Sequence, residues 1–448
     1  MDILKKKISV IGAARSGIGA ARLIRKMGGI PFVSDISDEI KLAESVNILK
    51  SENFDYEITG HTEKVFNADL IVVSPGVPSD SDILKKAAEK NIKIVSEIEL
   101  ASSFCKGNII AITGTNGKTT TTSLCGYLFN ECGANAYLAG NIGHAFSEIT
   151  ESVKQNEFVS LEVSSFQLDF IDRFKPKVAM ILNITPDHLN RYDNKYEYYA
   201  GAKLRIFENQ DANDFIILNR DNEGVNQFVK NYKSNAFFFS LTQKESNGCY
   251  VEDNKVFFSR NNNVEFICSV DDIYLRGEHN LANAMAVIIA AKIFNLNNSG
   301  IINALRSFKG VEHRLELVRE IEQVKYVNDS KATNVDSVWY ALRSFKEPLF
   351  LILGGQDKGN DYNQIKDLVI EKVVKIYAIG SSADKVFNFF HRFVKVEIKD
   401  SLEDAVTAAS KEARAGDVVL LSPACASFDM FNNYEHRGKV FKEAVNSL

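Results

Sequence analysis

Between Ile109 and Thr120 the chain reads Ile-Ile-Ala-Ile-Thr-Gly-Thr-Asn-Gly-Lys-Thr-Thr, a β-branched run that ends in a glycine turn carrying a lysine and hydroxyls. That pattern is a phosphate cradle. Amides of Gly114, Thr115, Asn116 and Gly117, and of the helix that follows, point at phosphate oxygens. Lys118 adds a point charge, Thr119 a hydroxyl for Mg²⁺, and Thr120 continues the hydroxyl row. Gly114 and Gly117 enclose two residues, where the common nucleotide loop has four. Glu162 closes the apolar run Ser160-Leu161-Glu162, and an acid there costs free energy unless it is paired or bound to a metal, which Mg²⁺ beside phosphates would supply. His188 lies on a proline-bounded stretch, Thr185-Pro186-Asp187-His188, where it either ligates a second cation, contacts phosphate or is structural. Lys203, within Tyr199-Ala200-Gly201-Ala202-Lys203, reads by itself as a solvated helical lysine.

Elements that bring these residues together are legible as alternation. Short apolar runs, Ile8–Ile11, Pro31–Ser34, Leu70–Ser74 and Ile92–Val95, alternate with amphipathic stretches such as Gly17–Met27 and Asp80–Lys90, which predicts a parallel α/β unit. Its first turn, Gly12-Ala13-Ala14-Arg15-Ser16-Gly17, occupies the place of a dinucleotide fingerprint, and Asp35 follows the second run as a ribose-binding acid would. Ala14 stands where the middle glycine belongs. Its methyl hinders a pyrophosphate spanning two nucleotides, so a single nucleotide or nucleotide sugar is expected rather than NAD. A second unit opens at Gly107–Thr113, with strands Phe158–Val163 and Val178–Ile184, extra strands or a hairpin layer from Phe215 to Leu275, and a closely packed helix His279–Phe294. The third repeats the alternation at Val324–Val327, Leu349–Leu353, Val373–Ile379 and Val418–Leu421. Each run ends in a polar or glycine turn, and ligands bind at the carboxyl ends of such strands.

A chain of 448 residues suggests about three domains; the expected boundaries are 1–105, 106–309 and 310–448. The fold class expected is α/β, with a Rossmann-like first domain, a central ATPase domain of P-loop type and a Rossmann-like C-terminal domain. With 53 basic against 58 acidic side chains, a net charge of −5 gives no broad basic field for nucleic acid. Six cysteines, at 105, 125, 132, 249, 268 and 425, form no CxxC pair and read as reduced and structural. No apolar run approaches the ~18 residues of a membrane span, and no leader pattern precedes the first strand. A cytoplasmic monomer without membrane insertion is expected.

Several motifs recur in one order: Gly114-Thr115-Asn116-Gly117-Lys118-Thr119-Thr120, Gly140-Asn141-Ile142-Gly143, Leu161-Glu162-Val163-Ser164-Ser165, Asn183-Ile184-Thr185-Pro186-Asp187-His188 and His279-Asn280-Leu281-Ala282-Asn283. Further on come Glu312-His313-Arg314, Asn328-Asp329-Ser330-Lys331-Ala332-Thr333-Asn334, Gly354-Gly355-Gln356-Asp357-Lys358-Gly359 and Ser422-Pro423-Ala424-Cys425-Ala426-Ser427-Phe428 with Tyr434 and Arg437-Gly438. Over the whole chain this series resembles the Mur ligase family, and the last motif resembles its D-glutamate-adding branch. The Asp-Asn-Pro-Arg string of the diaminopimelate-adding relatives does not occur.

The resemblance implies ATP-driven amide formation between UDP-N-acetylmuramoyl-L-alanine and D-glutamate through an acyl phosphate, in peptidoglycan precursor synthesis. It implies two Mg²⁺ ions on Thr119, Glu162, His188 and Lys203, the last as a carbamate, with Lys118, His188 and Lys203 serving the chemistry. ATP contacts are implied at the loop 114–120, Asn283, Arg314 and Asp329. The UDP-substrate falls to Arg15, Ser16, Asp35, Ile36, Ser74, Pro75, Gly76, Asn141 and His188. D-Glutamate falls to Lys331, Thr333, Lys358, Ser427, Phe428 and Tyr434. Two other readings stand beside it: a ligase of this type with another amino-acid acceptor, and a non-catalytic nucleotide-binding module, which would not need Glu162, His188 and Lys203 together.

Overall fold

A computed structural model describes residues 1–357 and 359–448, with the backbone alone for Asn190. Its strands form three sheets, and the chain divides into two compact units. The first unit comprises Met1–Tyr274 with Ala282–Phe308, the second Leu275–Leu281 with Lys309–Leu448.

The first unit opens with β1 (Lys7–Ile11), β2 (Ile30–Ser34), β3 (Asp55–Glu57), β4 (Leu70–Val73) and β5 (Lys93–Ser96). They pair in parallel in the order β3-β2-β1-β4-β5. The chain winds one way from β1 through β3 and the other way through β4 and β5. A crevice therefore opens at the carboxyl ends of β1 and β4, where ligands bind in such sheets. Three-residue β3 has no apolar run and escapes a periodicity reading; its partner β2 holds it. Helix Arg15–Lys26 buries Ile18, Ala21, Leu23 and Ile24 on one face, and its N-cap, Ala14, offers no side-chain oxygen. The first amides of that helix are left for a ligand or water.

The nine-stranded sheet contains β6 (Asn108–Thr113), β7 (Ala136–Gly140), β8 (Phe158–Glu162), β9 (Val178–Ile181), β10 (Phe215–Asn219), β11 (Asn235–Ser240), β12 (Gly248–Glu252), β13 (Lys255–Arg260) and β14 (Asn263–Ser269). Their order is β14-β13-β12-β11-β10-β9-β6-β8-β7. β7 through β12 run parallel, and β13 and β14 complete an antiparallel meander, the extra layer expected after Phe215. β6 lies between β8 and β9, so the turn after Thr113 is flanked by the ends of both.

The sequence treats the first hundred residues as a separate module, but a single apolar core runs from Ile3 to Val225 through both sheets. Buried acids reinforce that join. Glu99 Oε2 accepts the amides of Asp172, Arg173 and Phe174 at 2.9, 3.0 and 2.8 Å. Glu97 Oε1 accepts the Ser147 amide at 2.6 Å.

The second unit holds β15 (Glu316–Ile321), β16 (Val324–Asn328), β17 (Leu349–Gly354), β18 (Val373–Ile379), β19 (Lys395–Ile398) and β20 (Val418–Leu421), in the order β15-β16-β20-β17-β18-β19. Only β15 is antiparallel to its neighbour among these six. Turns after β16, β20 and β17 therefore emerge side by side. Two cores, one around Leu351 and Phe390 and one around Tyr377 and Phe441, cover the sheet faces. The expected α/β class and three parallel-rich sheets are what the chain adopts. Among the described residues no helix is long and apolar enough to cross a membrane.

Candidate active site

β6 delivers the chain into Gly114–Gly117, and helix Lys118–Glu131 starts at once. Gly117, the N-cap, has φ +82°, and a Cβ there would sit 2.7 Å from Asn283 Oδ1. Only glycine meets both demands. Gly117→Ala should cost about 1–2 kcal/mol from the left-handed backbone alone; a denaturant melt with no loss of stability would refute this account of the turn.

The turn is held from outside by the segment after β9. Asn183 Oδ1 accepts the Asn116 amide at 2.8 Å and its Nδ2 donates to Asn116 O at 3.0 Å, a reciprocal amide pair. The Thr185 amide donates to Thr115 Oγ1 at 3.0 Å, and that hydroxyl lies 3.1 Å from Tyr199 OH. Inside the turn, Lys118 Nζ donates to Gly114 O at 2.8 Å and Thr115 O at 2.7 Å.

Lys203 contradicts the surface reading that its helical position suggests. It is 2% exposed, its Nζ donates to Gly114 O at 2.9 Å, and it lies 4.7 Å from the Tyr199 ring centroid. Two lysines thus share one carbonyl. Burial, then the Lys118 charge, holds the Lys203 amine well below an ordinary lysine, while Asp187 and Glu162 pull the other way. Glu162 is equally buried, at 1%. Its Oε1 accepts Asn141 Nδ2 at 2.9 Å, but Oε2 has no hydrogen-bond partner among the described residues. A buried carboxylate oxygen without a proton donor is costly, and a hard divalent cation beside it is the donor set's natural complement. The residues present therefore fit Mg²⁺.

Lys118, Lys203 and Thr115 line one cleft of about 330 Å³, together with Pro75, Gly76, Asn141 and His188, and Glu162 is tied to that lining by its hydrogen bond from Asn141. His188 adopts φ +51° with its side chain partly exposed, and its Nε2 is 3.7 Å from Asp187 Oδ2. Tyr199, Asp187, Phe166 and Arg191 also line the cleft and were not singled out from sequence. Tyr199 was within reach, since it lies four residues before Lys203 and hence on the same helix face. Arg191 was not: it lies 4.2 Å over the Phe166 ring, a contact between segments distant in sequence.

Other expected residues lie outside this cleft's lining. Ser74 Oγ donates to Gly12 O at 3.4 Å, at the β1–β4 crevice, and Ser16 opens the uncapped helix beside it. Arg15 Nη1 donates to Gly143 O. Asp35 is committed to its own loop, accepting the Ala13 amide at 2.7 Å and the Ser37 amide at 2.8 Å, while Ile36 is 73% exposed. Thr119 and Thr120 are buried in the first helical turn, and Asn283 faces Gly117.

In the second unit, Arg314 stands between His313 and Leu315, whose φ values are +65° and +43°. Such backbone costs energy and is kept where a side chain must be aimed. Asp329 is buried, accepts Ser422 Oγ at 2.8 Å, and is pushed up to about 6 by burial, with Arg314 opposing. Lys331 lies 5.2 Å from the Tyr434 ring centroid. Thr333 follows in the same turn, its amide donating to Lys331 O at 2.9 Å. Ser427 is buried and Phe428 is 68% exposed. Lys358 lies outside the described residues. All six cysteines are free thiols, as expected.

Three family models match the chain: the MurD N-terminal domain over residues 7–83, the Mur ligase middle domain over 112–291, and the Mur ligase glutamate ligase domain over 313–425. The UDP-N-acetylmuramoylalanine–D-glutamate ligase of Chloroherpeton thalassium is 44% identical, covering 100% of this chain and 99% of its own. The protein of the same name from Salinibacter ruber is 42% identical, with the same coverage. Among solved structures, MurC of Thermotoga maritima superposes with a TM-score of 0.63 at 18% identity over 99% of each chain. MurF of the same organism, in complex with ADP, gives 0.59 at 16% identity over 93% of this chain and 95% of its own.

Proposed function

The chain belongs to the Mur ligase family, and on that premise we propose that it is the ATP-dependent ligase joining D-glutamate to UDP-N-acetylmuramoyl-L-alanine in peptidoglycan precursor synthesis. The observation that carries the ligase chemistry is the convergence of Lys118 and Lys203 on one cleft, with Glu162, whose Oε2 has no partner among the described residues, joined to its lining through Asn141. The choice of acceptor is supported by full-length relatives that bear the D-glutamate ligase name.

The substrate carboxylate attacks the γ-phosphorus of ATP, ADP leaves, and an acyl phosphate forms. The D-glutamate amine then attacks the acyl carbon, loses a proton and expels phosphate. Phosphoryl transfer of this kind needs positioning and charge neutralisation rather than a protein nucleophile. Lys118, with the amides of 114–120, takes the β- and γ-phosphates; Asn283, Arg314 and Asp329 take the rest of ATP. Mg²⁺ held by Thr119 and Glu162, with a second ion on His188 and carbamylated Lys203, would neutralise phosphate charge. A depressed lysine is the form that adds CO₂, because only the neutral amine is nucleophilic. Arg15, Ser16, Asp35, Ile36, Ser74, Pro75, Gly76, Asn141 and His188 are assigned to the UDP-substrate, and Lys331, Thr333, Lys358, Ser427, Phe428 and Tyr434 to D-glutamate. The assignment divides the chain at 1–105, 106–309 and 310–448 and takes the enzyme to be a cytoplasmic monomer.

Phosphate release from ATP, with Mg²⁺ and UDP-N-acetylmuramoyl-L-alanine, is measured against D-glutamate, L-glutamate, L-lysine and meso-diaminopimelate. Release with D-glutamate alone is expected. Release with a different acceptor would reassign the amino-acid pocket, and no release with any would leave a nucleotide-binding module.

A further inference from the structure

Among the described residues Arg437 is the largest fully buried side chain, 1% exposed, and the reaction assigned above gives it nothing to do. It projects from the first turn of helix Tyr434–Asn446. Every one of its five N–H donors is spent on two other segments. Nε donates to Ser330 Oγ at 3.0 Å and Nη2 to Ser330 O at 2.8 Å. Nη1 and Nη2 both donate to Cys425 O at 3.1 Å, and Nη1 also reaches Ala426 O at 3.4 Å. Ser330 closes the ring: its hydroxyl proton goes to Tyr434 O at 2.8 Å, leaving a lone pair for Arg437 Nε.

Among the described residues no carboxylate accepts a hydrogen bond from this guanidinium. Burial pulls it down to about 10, against the attraction of Cys425, Asp429 and Asp329. A buried cation held by neutral carbonyls is expensive, and apolar packing would fill the space at lower cost. What the fork supplies instead is geometry, because five donors in one plane fix the relative positions of everything they touch. The Cys425–Ala426 segment needs such fixing. Ala424 has φ +59°, and the next turn is held to Gln356 by a two-way backbone pair, Gln356 N to Ala426 O at 2.8 Å and Ala426 N to Gln356 O at 3.1 Å. Gly355 admits the arrangement, since a Cβ there would lie 2.5 Å from Ala426 O.

We propose that Arg437 is a positioning residue for the amino-acid acceptor, its guanidinium setting the spacing between the Ser330–Thr333 turn, the Cys425–Phe428 loop and Tyr434. This rests on the assignment of D-glutamate to Lys331, Thr333, Ser427, Phe428 and Tyr434, which are carried by those three segments. Arg437 itself touches no substrate in this reading.

The test compares the wild type with Arg437→Lys, Arg437→Ala and Ser330→Ala in steady-state phosphate release, with KM for each of the three substrates and a thermal melt for each variant. Lysine keeps the charge but offers three donors from one point. Arg437→Lys should raise KM for D-glutamate about tenfold or more, on the scale of lost hydrogen bonds to a charged group, and leave the KM of ATP and of the UDP-substrate within about twofold. Ser330→Ala should move the same KM in the same direction by less. If Arg437→Ala folds, methylguanidinium should restore its affinity for D-glutamate and methylammonium should not. An unchanged KM for D-glutamate in folded Arg437→Lys, or an equal rise for all three substrates, would overturn the positioning role. A wild type that turns over without preference for D-glutamate would instead remove the acceptor assignment, and this proposal with it.

Discussion

Lys118→Ala is expected to lower turnover by about a thousandfold or more while changing the dissociation constant of the UDP-substrate by less than about twofold. The lysine's ammonium lies inside the turn and donates to Gly114 O and Thr115 O, which fixes its charge among the turn's amides. In phosphoryl transfer negative charge builds on the leaving β-phosphate as its bond to the γ-phosphorus breaks, and a fixed cation reaching both phosphates acts more strongly in the transition state than in the ground state. Losing it should therefore fall mainly on kcat. Arg→Lys exchange arguments run in reverse here: arginine at 118 would bring a planar fork to a site that accepts a compact charge, so Lys118→Arg should recover little. The turn itself stays pinned by Asn183 and, through the Thr115 hydroxyl, by Thr185 and Tyr199, so the variant should melt close to wild type. Calorimetric titration with the UDP-substrate and steady-state phosphate release separate the two effects. Turnover within about tenfold of wild type would mean that Lys118 does not face the transferred phosphate.

How much of this site could be read in advance differs by residue. The glycine turn and Lys118 declare themselves because strand, turn and helix are contiguous and each residue type has one physical reason to be there. Glu162 is found because an acid at the end of an apolar strand is a local anomaly. Lys203 has no such local signal: a lysine in Ala-Lys-Leu-Arg looks solvated, and only the approach of the turn after β6 buries it against Gly114 O. Asn183 and Arg191 likewise act through partners far away in sequence. The strands with continuous apolar runs, such as β6, β9, β17 and β20, were legible for the same reason as the glycine turn, being buried on both faces. β3 and β15 were not, since half-exposed edge strands carry a weak pattern. The join between the first two sheets was also hidden. It depends on Glu97 and Glu99, two acids in Ser-Glu-Ile-Glu-Leu that sequence alone would leave in solvent.

Lys203→Met should separate function from folding more sharply than any other substitution in the cleft. Burial and the Lys118 charge hold the amine of the folded protein well below an ordinary lysine, so between the two values the unfolded chain binds the extra proton. Native stability of the unmodified enzyme therefore rises with pH through the interval between the depressed value and the ordinary lysine value of 10.5. Methionine removes both the desolvated nitrogen and that dependence, so the variant should be at least as stable as wild type near neutral pH and show a flatter stability profile above it. Turnover, by contrast, should fall by about a hundredfold or more if a carbamate oxygen on Lys203 is needed to hold cation charge against the phosphates. Lys203→Ala leaves space where that oxygen would be, and formate or acetate should then restore part of the rate, whereas chloride at the same ionic strength should not. The methionine variant, which fills the space, should be deaf to both. Full activity in either variant, or rescue that does not depend on the carboxylate, would take the carbamate out of the account and leave Lys203 as a buried amine that braces Gly114.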